Sequence, residues 1–92
     1  MTEEVFFRVT FVRPDGWQYA TTGRASDEKD AVRAANDLLE NVERIGIADF
    51  LTADGLTVEP PARLTVERVS PSESGSGFGL VITDPKGNVT RK

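Results

Sequence analysis

Three carboxylates, Asp49, Asp54 and Glu59, lie near one another in the chain, and such a group invites a reading as a cation site. A hard cation needs several converging oxygens, and the Asp-x-Asp-x-Asp-Gly run of a calcium loop is missing, so these residues read as turn and surface acids. A second candidate is Gly75-Ser-Gly-Phe-Gly79, at the end of a serine- and glycine-rich stretch. Backbone N–H groups of glycine loops can cradle phosphate, but such a site wants a helix after it and usually a lysine. Here a strand-like pattern follows and no lysine is adjacent. Histidine and cysteine are both absent. That removes the commonest general base, the thiolate nucleophile and the commonest transition-metal ligands. A serine–lysine pair has only Lys29, Lys86 and Lys92 to draw on, each in an exposed setting. Two-carboxylate glycosidase chemistry needs a cleft that a chain of 92 residues rarely builds. Trp17 and Tyr19 can stack on a base or sugar, yet their register puts them in the core. No enzyme activity, metal, cofactor or small-molecule ligand is expected.

The elements that position these residues begin with Val5-Phe-Phe-Arg-Val-Thr-Phe-Val12. Val5, Phe7, Val9 and Phe11 share one face of an extended chain; Phe6, Arg8, Thr10 and Val12 share the other. Pro14-Asp15-Gly16 suits a three-residue loop with a glycine bulge. Arg13 then opposes Trp17, Phe11 opposes Tyr19 and Val9 opposes Thr21, so Trp17 and Tyr19 join the face of Phe7 and Phe11. Ser26 is the expected N-cap of a helix. That places Lys29 at N3, where no capping box forms. Ala31, Val32, Ala35, Leu38, Leu39, Val42 and Ile45 make one apolar stripe, with Gly46 as terminator. Glu40 and Arg44 are spaced for a helical ion pair.

The second half is less periodic. Residues 47–62 read as a connection with a short element around Phe50, whose ring plugs one end of the core. Pro60-Pro61 implies an extended linker there. Arg63–Val69 alternates as a strand, with Leu64 and Val66 inward. Residues 70–77 are a flexible loop by composition. Phe78, Leu80 and Ile82 alternate again, Asp84-Pro-Lys-Gly-Asn88 is a second turn, and Val89–Arg91 can return as a short strand. Residues 91–92 are expected to fray.

The fold expected is α+β, one domain over 1–92. It is a two-layer sandwich of a four- to five-stranded sheet with one amphipathic helix on one face, in ββαββ order. Both a wholly antiparallel sheet and a β-grasp-like topology, with the first strand parallel to a late one, satisfy the pattern. The net charge of −4 disfavours generic nucleic-acid binding. No apolar run approaches a membrane span, and Met-Thr-Glu-Glu-Val lacks a signal-peptide core, so a soluble cytoplasmic protein is expected. Eight arginines against three lysines, with many Ala, Val and Thr, suggest a high-GC genome such as an actinobacterium or its phage. A single helix leaves one sheet face bare. Phe6, Arg8, Val12, Gln18 and Ala20 project from it as the candidate partner surface. The first functional reading is a non-catalytic protein-binding module, adaptor or inhibitor. The alternative is a structural or assembly protein that oligomerises through its sheet face or edge strands. A third is a nucleic-acid binder using Arg8, Arg13, Arg24, Arg63 and Arg68.

Overall fold

A computed structural model describes residues 5–70 and 79–91. The expectations for the 70–77 loop beyond Ser70, for Phe78 and for Lys92 lie outside these residues. Strands β1 (Val5–Val12) and β2 (Gln18–Ala25) form the opening hairpin. Helix α1 (Glu28–Val42) follows, then β3 (Arg63–Val69), β4 (Gly79–Thr83) and β5 (Val89–Arg91). The sheet runs β3-β1-β2-β4-β5 with every pairing antiparallel. This excludes the β-grasp alternative: the late strand beside β1 is β3, and it runs against it.

The hairpin register is the one the turn dictates, with Phe11 opposite Tyr19 and Val9 opposite Thr21. Gly16 takes φ 99°, a backbone only glycine adopts freely, and the Arg13 N–H donates to the Trp17 carbonyl across the loop at 2.8 Å. The Asp84–Asn88 turn repeats this design. Gly87 has φ 94°, and the Asp84 N–H donates to the Asn88 carbonyl at 2.9 Å. The two turns meet at one end of the sheet, where a Cβ on Gly16 would lie 3.3 Å from the Pro85 ring.

The helix starts one residue later than the sequence suggests. Asp27 is the N-cap, its carboxylate accepting the Asp30 N–H at 2.8 Å. Asp30 therefore occupies N3, and its own carboxylate reaches back to the N–H and hydroxyl of Ser26. The helix start is thus tied down twice, by Asp27 on the Asp30 N–H and by Asp30 on Ser26, because shifting the cap by one exchanges Lys29 for an acceptor at N3. The helix also ends before Gly46. Glu43 is the C-cap, Arg44 takes the left-handed φ of 60°, and the Leu39 carbonyl receives the N–H groups of Glu43 and Ile45. Beyond the helix end, Arg44 makes no ion pair with Glu40, which instead accepts from the Asn36 amide.

Ala31, Val32, Ala35 and Leu39 are buried against Phe7, Val9, Phe11, Tyr19, Leu80 and Ile82, with Leu64 and Val66 packed at the margin. Val42, assigned to this core by its spacing, is 43 % exposed. After the reversal at Arg44 the core is filled by Ile47, which has no exposed surface. Trp17 is a second correction. It lies at the turn end of the helix-side face, 37 % exposed, its ring stacked on Tyr19 with centroids 6.5 Å apart.

In the connection, Phe50 packs on Phe11 with ring centroids 5.6 Å apart, as a plug of the core would. Leu51 and Val58 form one antiparallel bridge closed by Ala53-Asp54-Gly55. Pro60-Pro61 is not an extended linker: its peptide is cis, and the Ala62 N–H bonds the Glu59 carbonyl across a tight turn.

Candidate partner interface

Because side chains alternate along a strand, all five strands contribute to the face opposite α1. The register sets them in rows. Phe6 lies between Val69 and Arg24, and Arg8 between Glu67 and Thr22. Thr10 lies between Thr65 and Ala20, followed by Val81 and Arg91. Val12 lies between Arg63 and Gln18, followed by Thr83 and Val89. The five residues singled out from the sequence, Phe6, Arg8, Val12, Gln18 and Ala20, thus share one surface. Strand parity within the hairpin was enough to group them. Arg63, Val81, Val89 and Arg91 join them only through the strand order, which no local pattern encodes.

Phe6 is less free than its pattern implies. Its strand neighbour Val69 is 8 % exposed, and the Arg24 guanidinium sits 5.3 Å from the Phe6 ring centroid. That is cation–π distance. Val12, Ala20 and Val81 are half-buried in the middle of the face, and Val89 is exposed at its β5 edge.

The charge on this face opposes that of the whole chain. Among the described strand residues, Arg8, Arg24, Arg63 and Arg91 stand against Glu67, a local +3 on a protein of net −4. Among the described residues the ion pairs are Arg13–Asp15 and Arg33–Asp30, so no carboxylate holds any of the four face arginines. The acids collect on the other layer. Asp27, Glu28, Asp30, Asp37, Glu40 and Glu43 on and beside α1 are offset by Lys29, Arg33 and Arg44. Within that layer Arg33 donates to Asp30 and holds its carboxyl below the usual carboxylate range.

The carboxylates that resembled a cation site are dispersed. Asp54 is a turn staple that accepts from the backbone N–H groups of Leu56 and Thr57 and from the hydroxyls of Thr52 and Thr57. The Leu56 N–H and the Thr52 hydroxyl are foremost in holding its pKa down to about 2. Among the described residues no three acids converge on one point.

One feature was not legible in the sequence. An apolar groove of about 240 Å³ runs between α1 and the sheet, lined by Phe7, Val9, Gly23, Ala31, Ala35 and Leu38. It opens because small side chains on the helix face a strand residue without a side chain. The apolar stripe shows that this surface is inward, but not that it is under-filled. Neither a family model nor a curated protein nor a solved structure matches the chain.

Proposed function

We propose that this protein is a non-catalytic binding module that docks a protein partner on the open face of its sheet. The observation that carries the reading is the set of half-buried apolar side chains, Val12, Ala20 and Val81, on a face that also carries four arginines with no ion pair among the described residues. Covering such a centre removes apolar area from water at about 25 cal/mol per Å². The surrounding guanidiniums, planar and weakly hydrated, suit interface contacts better than lysine would. A rigid two-layer scaffold presents the face with little ordering cost on binding.

The test substitutes the centre and the helix in parallel. Val12→Asp should remove partner capture by the immobilised protein. Arg33→Ala, on the opposite layer, should leave capture intact. A thermal melt of each variant separates lost binding from lost folding. Capture that survives Val12→Asp in a folded protein would refute the proposal.

A further inference from the structure

Resting on that reading, we infer that the partner presents an acidic segment with apolar side chains, a polypeptide rather than a nucleic acid or a second copy of this chain. Charge complementarity is the first reason. Arg63 and Arg91 mark opposite edges of the sheet, four strand spacings or roughly 19 Å apart, with Arg8 and Arg24 between them. A partner spanning the face meets positive charge at both edges and apolar groups between. An acidic stretch interrupted by leucine- or phenylalanine-like residues matches both features.

Nucleic acid matches less well. Its recognition on open sheets relies on aromatic platforms, each worth about 1–3 kcal/mol per stacked base. Phe6 is the aromatic residue that the strand register places on this face, and the Arg24 guanidinium already lies over it. The six acids on and beside α1 would also repel a long polyanion that extended past the sheet. A second copy docked face to face would bring the arginines against one another, and like charges in apposition oppose association.

The experiment is selection from a random short-peptide library on the immobilised full chain. Selected peptides are then titrated against the wild type, against Arg63→Glu/Arg91→Glu and against Val12→Asp. Both arginines are exposed on edge strands, and an amide correlation spectrum confirms that each variant is folded. Enrichment of acidic, apolar-containing peptides that lose about tenfold or more in affinity on the double charge reversal supports the inference. Peptides with no acidic bias that still lose binding to Val12→Asp would overturn the inference while leaving the docking face standing. Peptides indifferent to Val12→Asp would remove the docking face itself. Two controls complete it: a concentration-dependent mass in sedimentation, or an oligothymidylate that shifts the face amides more tightly than any peptide, would each overturn the inference.

Discussion

Asn36 lies on the polar side of α1, yet its side chain holds down the segment that closes the core. Its carbonyl oxygen accepts the Ile47 N–H at 2.7 Å and the Ala48 N–H at 3.1 Å. Ile47 is fully buried, so this one amide fixes where the chain re-enters the core after Arg44. In Asn36→Ala the Ile47 N–H, in a half-buried setting, loses its acceptor. An unsatisfied group of that kind costs about 1–3 kcal/mol. The Ala48 N–H is exposed and water replaces its bond, adding roughly 0.5 kcal/mol. Alanine is the better helix former and returns roughly 0.5 kcal/mol. The net loss is about 1–3 kcal/mol, which for a domain of this size lowers the melting temperature by roughly 5–20 °C. Asn36→Asp keeps the acceptor and exchanges the exposed amide bond to Glu40 for i,i+4 repulsion, a matter of roughly 0.5–1 kcal/mol. Urea melts of the two variants supply the numbers, and amide exchange at Ile47 and Ala48 supplies the location. If both variants melt alike, or the alanine variant loses less than about 0.5 kcal/mol, Asn36 does not anchor the segment.

Phe11→Ala removes a ring with no exposed surface and should cost about 3–5 kcal/mol in a denaturant melt. Trp17→Ala should cost less than half as much, and equal costs would mean that the turn end of the sheet is buried. Acid should unfold the chain through its turn and cap carboxylates: Asp30, Asp54 and Asp84 all have folded pKa values below their usual one. Each contributes stability that is fully present above the unfolded pKa near 3.9 and is lost as pH falls through the folded value, about 2 for Asp54. Asp54→Asn should flatten the loss of stability between those limits, and an unchanged slope in pH-dependent melts would refute its role.

Local chemistry explains which parts could be read from the residues. The opening hairpin was legible because alternation and the Pro-Asp-Gly loop demand one and the same register. The helix was legible from its stripe, but its cap was misplaced because Ser26 and Asp27 both suit the position. What decides between them is Asp30, three residues past the true cap. Residues 47–62 resisted reading because their order comes from distant partners: the Asn36 amide over Ile47, the Phe11 ring under Phe50, and Asp54 folding its own turn. Trp17 was misassigned for a geometric reason. Its parity was right, but at the turn end of the sheet it stays 37 % exposed, and periodicity says nothing of where cover stops.

The separation of charge between the two layers gives binding of an acidic segment an unusual dependence on salt. The molecule is 21 Å through its thinnest dimension. At about 0.01 M ionic strength the screening length is about 30 Å, so an approaching acidic segment feels the whole chain, net −4, and is repelled. At about 0.15 M the length falls to about 8 Å. The helix acids on the far layer are then screened, and the local +3 of the open face governs the encounter. At about 1 M the length is about 3 Å and the arginine contacts weaken in turn. Affinity should therefore rise and then fall as salt increases, with its maximum near physiological ionic strength. A simple cationic patch on a basic protein would instead lose affinity from the lowest salt onward. Titrating one selected acidic peptide across this range distinguishes the two: a monotonic fall would mean that the acids on α1 do not act on the opposite face, and that the layers are not electrostatically opposed.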